Sequence, residues 1–426
     1  MGGFFVTFLL LLATGVPIAL ALGVGGTAYL FLSGNGGLVL ALPQRMMAGV
    51  DQFVLLTIPL FLLAGNLMNV GGVTDRIVHF ARAMVGHRRG GMSSVTVLSS
   101  GFFAGISGSA TAEASALGSI LIPTMSKQGM PKAYAAALVG VSSVMGPIIP
   151  PSIAMIIYGV LSGVSIGQLF LAGVVPGIAL CAGLLVYASW RARKEGFPIT
   201  EKMPWKDRLL ATRRTLPALF LPLIIVVGIK GGVFTPTEAA AVAVAYALLI
   251  GFLYRDLTPK HIWKALIASA LVSASILFIT SMAAIVSFVF TLERVPQQIA
   301  SLVLSITENR YLILIMLNLF LLVLGMFLEP ISILILTMPI LVKIAAIVQM
   351  DPVQFGAMAV LNVVIGLATP PVGILLFIVS ATSGEPLIKV IRQALPLIGI
   401  CLVVLAIVTF VPQFTLFLPH AFTDIR

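Results

Sequence analysis

Residues 144–152 read VMGPIIPPS, and they interrupt an apolar stretch that is otherwise long enough to cross a membrane. Proline has no backbone N–H, so the three prolines of this segment stop a helix and leave carbonyl groups without helical partners. A similar segment, GLATPPVG, occupies residues 366–373, and the two Pro-Pro pairs lie 220 positions apart. A helix break that recurs at a fixed spacing indicates a duplicated functional segment.

The repeat extends well beyond the two breaks at the same spacing. Identical residues occur at Met130 and Met350, Ala137 and Ala357, Val144 and Val364, Gly146 and Gly366, Pro176 and Pro396, Ile178 and Ile398, and Cys181 and Cys401. No gap is needed to align them. Paired segments interrupted by glycine and proline in the two halves of a membrane protein are typical of a transporter with a central binding site.

The composition predicts an all-α polytopic membrane protein. Hydrophobic residues make up 59% of the chain and charged residues 9%, and the mean hydropathy is +1.14. A soluble protein carries about a quarter charged residues. The start, Met1-Gly2-Gly3-Phe4, has no basic residue before the first apolar stretch. We therefore expect no cleavable signal peptide.

The net charge of +11 comes mainly from a few loops between apolar stretches. Basic residues concentrate in residues 71–92, 191–214 and 255–264. Loops rich in lysine and arginine stay in the cytoplasm. We therefore predict that all three segments are cytoplasmic, and we expect no nucleic-acid partner.

The apolar stretches divide the chain into two comparable halves. They cover residues 4–33, 51–70, 93–125, 133–163 and 166–190 in the first half, and 216–230, 236–254, 265–291, 311–341, 353–383 and 386–415 in the second. The sequence Thr235-Pro236-Thr237-Glu238 is typical of a helix start. By analogy, Gly15-Val16-Pro17 is expected to split residues 4–33 into two helices.

The stretches 93–125 and 311–341 are each too long for one span and carry small or polar residues near their middle. We predict a re-entrant hairpin in both, a structure that survives at membrane depth only inside protein or beside water. Each half then has an odd number of true spans. The halves are inverted and both termini lie outside the cytoplasm, whereas a single span over residues 4–33 would place the amino terminus inside.

These features predict eight segments along the chain. They are first scaffold helices (1–70), a cytoplasmic connection (71–92), a transport half with the first hairpin and first broken helix (93–165), a helix (166–190), a basic cytoplasmic linker (191–214), second scaffold helices with a connecting segment (215–310), a transport half with the second hairpin and second broken helix (311–385), and a C-terminal helix and tail (386–426).

The first hairpin carries a polar tip, Ser107-Gly108-Ser109-Ala110-Thr111. A bent tip exposes carbonyls and hydroxyls, the hard oxygen ligands that coordinate Na⁺ at unwound backbone in transporters. The alternative is that small residues merely let two helices pack closely. The second hairpin aligns at an offset of 216, which pairs Glu113 with Glu329. Each glutamate either caps a helix or binds a proton or ligand.

Other polar residues lie inside apolar helices, at Asn66, Asn318 and Asn362. We interpret them as links between helices rather than ligands. The four histidines show no metal-site spacing. No Walker motif or Ser-His-Asp arrangement stands out, so we expect neither ATP-driven transport by this chain nor an enzyme.

Four motifs resemble one known family, the large membrane (M) subunit of tripartite ATP-independent periplasmic (TRAP) transporters, with the sialic acid type as the first candidate. They are IPLFLLAGNLM at residues 58–68, GISGSATA at 105–112, GPIIPPS at 146–152 and TPPVG at 369–373. The resemblance implies an elevator-type secondary transporter of the bacterial inner membrane. It also implies Na⁺ as the coupling ion, a small four-helix membrane subunit, and a soluble periplasmic substrate-binding protein.

The resemblance further implies two sodium sites. Their expected ligands are Ser107, Ser109, Gly146, Ile149 and Pro151 in the first site, and Gly325, Gly366, Thr369 and Pro371 in the second. The second hairpin departs from a serine-rich tip, which leaves its ligand set open.

We expect the cargo to be an organic acid anion, sialic acid before a C4-dicarboxylate, bound between the hairpin tips. The residues expected to contact it are Ser109, Thr111, Glu113, Ser152, Glu329 and Thr369. One alternative is a carboxylate transporter without a binding protein, with Glu113 and Glu329 as proton carriers. Another is a channel or a structural membrane subunit.

Overall fold

A computed structural model describes residues 2–423 of the chain, and the regular structure within these residues is entirely helical. The first half contains ten α-helices. They are α1 (Gly2–Ala13), α2 (Ile18–Leu32), α3 (Leu42–Val50), α4 (Thr57–Val70), α5 (Val73–Val85), α6 (Gly91–Ser107), α7 (Ala110–Lys127), α8 (Lys132–Ser142), α9 (Ile153–Ser162) and α10 (Ile166–Lys194).

The second half contains ten more helices. They are α11 (Trp205–Lys230), α12 (Pro236–Leu253), α13 (Pro259–Leu292), α14 (Val295–Ile306), α15 (Arg310–Phe327), α16 (Pro330–Ile347), α17 (Pro352–Gly366), α18 (Ile374–Ser383), α19 (Leu387–Phe410) and α20 (Pro412–Thr423). Short 3₁₀ turns occupy Gly36–Ala41, Phe53–Leu56 and Ser143–Met145. Eight helices of the described part are long and apolar enough to cross a membrane.

Helix boundaries follow the glycine and proline signals of the sequence. Gly15 has a φ of +82° and separates α1 from α2, which confirms the split expected before Pro17. At the start of α12, the Glu238 carboxylate accepts a hydrogen bond from the Thr235 amide at 2.8 Å. The Thr235 hydroxyl in turn accepts from the Glu238 amide. This reciprocal arrangement confirms the predicted capping box.

Both predicted hairpins and both predicted broken helices are present. The hairpins consist of α6 with α7 and α15 with α16, and the broken helices consist of α8 with α9 and α17 with α18. Gly108 separates α6 from α7 with a φ of +62°, a conformation that favours glycine. Each break contains a cis peptide bond, at Pro150-Pro151 and at Pro370-Pro371.

The two broken helices lie antiparallel beside each other. The Tyr158 hydroxyl near the end of α9 donates a 2.7 Å hydrogen bond to the Pro352 carbonyl at the start of α17. At the other end, Gly140 of α8 packs against the Val379 side chain of α18. The beginning of each broken helix therefore meets the end of the other. This packing is that of an inverted repeat, and it confirms the predicted fold class.

Helices α12 and α13 pack against α4 and form a second layer beside the hairpins and broken helices. The Thr57 and Thr237 hydroxyls at the starts of α4 and α12 are 3.0 Å apart, and Gly71 and Gly251 approach each other at the opposite ends. These two helices therefore run parallel. Hydrogen bonding also joins α4 to α13, which packs against α2 and α3 as well.

The basic segment 191–214 differs from the predicted loop. Helix α10 continues to Lys194 and α11 begins at Trp205, so the non-helical connection is short. The Arg208 guanidinium donates hydrogen bonds to the carbonyls of Ala83 and Met84 at 2.8 and 3.0 Å. Helices α10 and α11 thus continue into the charged segment. The Arg208 side chain joins α11 to α5.

Candidate functional site

The first hairpin tip lies directly against the first helix break. A side chain at Gly108 would meet the Pro151 carbonyl oxygen at 2.7 Å, so only glycine permits this approach. Gly146 similarly faces the backbone of Ser109 and Ala110, where a Cβ would lie 3.2 Å from either. The Ser107 hydroxyl donates to the Ser109 carbonyl at 3.3 Å. The predicted ligands of the first sodium site are therefore neighbours.

The second hairpin tip also lies directly against the second helix break. A Cβ on Gly366 would lie 2.5 Å from the Gly325 Cα, so the two backbones are in direct contact. The Gly373 amide donates to the Met326 carbonyl at 3.3 Å. The Thr369 hydroxyl donates to the Ile365 carbonyl at 2.7 Å, which leaves its oxygen able to accept or coordinate. Gly325, Gly366 and Thr369 thus belong to one junction.

Both junctions offer oxygen atoms of backbone and hydroxyl groups. Such hard donors fit Na⁺ better than a transition metal. The described residues contain no group of three or more His, Cys, Asp or Glu side chains that could hold a metal ion. The contacts made by Gly108, Gly146 and Gly366 leave no space for side chains and bring backbone carbonyls together. The donor sets of the two junctions therefore fit sodium.

A cavity of about 410 Å³ separates the two hairpin tips from the surrounding layer. The first tip contributes Ser107, Ser109 and Thr111, and the second contributes Glu329 and Ile331. Across the cavity lie Leu62, Gly65, Asn66 and Asn69 of α4 and Ala268, Val272 and Ile276 of α13. The cavity therefore has one wall from the repeats and one wall from the outer layer.

The described residues that line the cavity include an acidic side chain but no basic one. Glu329 is the one charged residue among the described residues that line it. The Glu329 carboxylate stands at the N-cap position of α16, near the amides of Ile331 and Ser332, although neither makes a hydrogen bond of standard geometry. No lysine or arginine among the described residues lines this space.

The structure divides the six residues expected to contact substrate into two groups. Ser109, Thr111 and Glu329 line the cavity, whereas Glu113, Ser152 and Thr369 do not. The buried Ser152 hydroxyl donates to the Pro147 carbonyl and accepts from the Met155 amide at 3.2 Å, so it caps α9. Glu113 lies fully buried behind Gly146.

The cavity wall formed by α4 and α13 was not among the sequence predictions. Asn66 was interpreted as a link between helices, and its amide does donate to the Ser269 hydroxyl at 2.8 Å. It also lines the cavity together with Asn69. The two asparagines are three residues apart and therefore share a helix face, a spacing that could have identified them.

Asn318 and Asn362 do link helices within the second half. The Asn362 amide nitrogen donates to the Asn318 carbonyl at 2.9 Å and to its side-chain oxygen at 2.7 Å. Asn318 also donates to the Thr409 hydroxyl of α19 at 3.3 Å. These contacts agree with the structural interpretation of both asparagines.

Comparison with known proteins identifies similar chains over nearly the whole length. The family described as "Tripartite ATP-independent periplasmic transporter, DctM component" matches residues 5–414. The sialic acid TRAP transporter large permease protein SiaM of Vibrio cholerae is 39% identical over 97% of this chain and 96% of its own length. The C4-dicarboxylate large permease protein DctM of Rhodobacter capsulatus is 37% identical, covering 96% of each chain.

A solved structure shares the fold at much lower identity. The YdaH transporter of Alcanivorax borkumensis, described as having an unusual topology, superposes with a TM-score of 0.63. The match covers 91% of this chain and 90% of that one, at 12% sequence identity. This similarity concerns the fold alone.

Proposed function

The chain belongs to the DctM family of TRAP transporters, and we propose that it uses Na⁺ to import an organic acid anion. The observation that carries the proposal is the cavity between the two hairpin tips and the wall formed by α4 and α13. Two junctions rich in backbone oxygen flank this cavity. The family itself implies a small membrane subunit and a periplasmic binding protein as partners, and a multi-pass location in the inner membrane.

The charge of the cavity supports sodium coupling. An organic acid anion bound here would face the Glu329 carboxylate without a lysine or arginine from the described lining residues. Buried charges need a compensating partner. Sodium ions held at the two junctions would supply that positive charge, so ion and substrate would bind together. The proposed ligands remain those of the two tips and breaks, with Ser107 and Ser109 on one side and Gly325 and Thr369 on the other.

The division of the cavity supports an elevator mechanism. One wall belongs to the hairpins and broken helices, which pack on each other as an inverted repeat, and the other belongs to α4 and α13. A rigid displacement of the first group along the second would carry the bound anion across the membrane. In this arrangement residues 93–165 and 311–385 move, and the remaining helices form the scaffold.

The similarity to SiaM supports sialic acid as the first candidate cargo, and the similarity to DctM supports a C4-dicarboxylate as the second. We further propose that the small partner has four membrane helices. The basic loops would face the cytoplasm and both termini the periplasm, in accord with the positive-inside rule.

Uptake by a reconstituted complex tests the proposal. The chain and its small subunit are placed in liposomes, and the cognate binding protein is added with labelled sialic acid or C4-dicarboxylate. An inward Na⁺ gradient should drive accumulation that stops when choline replaces sodium. Undiminished uptake without Na⁺ would contradict sodium coupling, and saturable uptake without the binding protein would favour the carrier that needs none.

A further inference from the structure

The Glu113 side chain on α7 is completely buried and forms no ion pair with any residue that the structure describes. Neither carboxylate oxygen makes a hydrogen bond of standard geometry. A carboxylate enclosed in a membrane protein without a partner is costly and marks a functional position. Its role therefore has to be found in its surroundings.

Helix capping does not explain this carboxylate. The cap of α7 is the Ser109 hydroxyl, which accepts from the Ala112 amide at 3.5 Å. The Glu113 amide is already bonded to the Ser109 carbonyl at 3.1 Å. The neighbouring Ser100 hydroxyl of α6 is buried as well and lies beside this carboxylate, although the pair does not have the geometry of a standard hydrogen bond. The carboxylate thus faces a small polar space between α6 and the first break.

The carboxylate is positioned against the first junction. A Cβ added to Gly146 would lie 2.9 Å from the Glu113 Oε2 atom, so this oxygen is close to the Gly146 backbone. The same glycine faces the Ser109 backbone on the hairpin tip. Glu113 is therefore close to the proposed first sodium site without lining the cavity.

In the part of the chain that the structure describes, the atoms nearest to the two glycines of the second junction belong to backbone and not to a carboxylate. Glu329, the repeat counterpart of Glu113, lies in the cavity wall instead. Behind Gly366 lies the backbone of Gly325, where a Cβ would be 2.5 Å from the Gly325 Cα. Two positions that are equivalent in the sequence repeat therefore have different environments. The first junction alone has a carboxylate behind its glycine.

We propose that Glu113 is a positioning residue that supplies the counter-charge of the first sodium site. Its carboxylate does not bind the ion directly but attracts it across the intervening Gly146 backbone. This attraction is strong because the region has a low dielectric constant. The first site therefore binds Na⁺ more tightly than the second and fills first. This inference rests on the proposed sodium-coupled function, and it explains why a carboxyl group lies at a buried position where it neither caps a helix nor forms a salt bridge.

Sodium titration of the purified complex with its small subunit tests the inference without substrate. Sodium chloride is increased against choline chloride at constant ionic strength, while heat of binding and thermal unfolding are recorded. The unmodified complex should show two binding steps whose affinities differ by about tenfold or more. Glu113→Gln, which keeps the shape and removes the charge, should abolish the tighter step. The matched control Glu308→Gln removes an exposed charge and should leave both steps unchanged.

The outcomes separate this inference from the proposed function. No sodium response in the unmodified complex would overturn both. A response that is identical in the unmodified and Glu113→Gln complexes would overturn the role of Glu113 alone. If the Glu113→Gln complex does not assemble, the sodium titration of the unmodified complex still tests the inference. A single affinity for all bound sodium would contradict an unequal pair of sites.

Discussion

At the scale of single residues, the closest backbone approach of the site joins Gly325 and Gly366. The two backbones touch between a hairpin and a broken helix, where any side chain would separate them. Gly146 and Gly108 have the same role in the first half. Glycine at these positions sets how closely the backbones of the tip and the break come together.

Replacing Gly366 by alanine should damage the second junction. The added methyl group would lie 2.5 Å from the Gly325 Cα, and neither backbone can move aside as a flexible side chain would. Overpacking of this kind costs roughly 1–3 kcal/mol of stability. We expect a lower thermal unfolding temperature and a large loss of uptake.

Gly399→Ala is the matched control for Gly366→Ala. Gly399 lies within α19, and a Cβ there would meet no atom within 4 Å. Alanine in a helix is favoured over glycine by roughly 0.5–1 kcal/mol, so stability and uptake should be retained. Equal behaviour of the two variants would show that close contact at Gly366 is not required.

At the scale of elements, the helices interrupted by glycine and proline were predictable, whereas three short helices that are neither spans nor parts of a broken helix were not. Gly108, Pro150 and Pro370 act on their own backbone, so their effect can be read locally. By contrast, α3, α14 and α20 are too short to be recognised from the sequence as membrane-spanning stretches. The sequence also could not show that Glu113 is buried whereas Glu329 lines the cavity, because this difference arises from the residues that pack behind each hairpin.

The wall of the cavity illustrates the same limit. Asn66 and Asn69 share a face of α4, but the sequence does not reveal that this face is opposite the hairpin tips. That placement depends on contacts of α4 with α12 and α13. Residues that line a site through tertiary packing alone therefore require the structure.

The attachment of α5 gives a prediction at this scale. Arg208 of α11 donates hydrogen bonds to two carbonyls in the last turn of α5, those of Ala83 and Met84. Hydrogen bonds from a charged group contribute about 1.5–3 kcal/mol. Arg208→Ala should therefore accelerate hydrogen exchange of residues 73–85, whereas Arg213→Ala, at an exposed position on the same helix, should not. Unchanged protection in Arg208→Ala would show that α5 is held by packing alone.

At the scale of the whole molecule, the inverted repeat brings together four elements that are distant in the sequence. Tyr158 binds the start of α17, and Gly140 packs on α18, so the broken helices support each other along their length. The hairpins pack outside them, with α7 against α18 and α16 against α9. The hairpins and broken helices thus pack on one another, and the cavity lies between their tips and the helices α4 and α13.

Cross-linking tests whether the hairpins and broken helices move against the scaffold. After Cys181 and Cys401 are replaced by serine, Val272→Cys on α13 and Ile331→Cys on the second tip place two thiols on opposite walls of the cavity. A reducible bifunctional thiol reagent that joins them should stop uptake, and reduction should restore it. The control pair Gly118→Cys and Thr382→Cys lies within the hairpins and broken helices, where the Gly118 Cβ would be 3.7 Å from the Thr382 side chain. Joining that pair should leave uptake intact. Transport that continues after complete cross-linking of residues 272 and 331 would mean that the two walls keep their positions while the anion crosses.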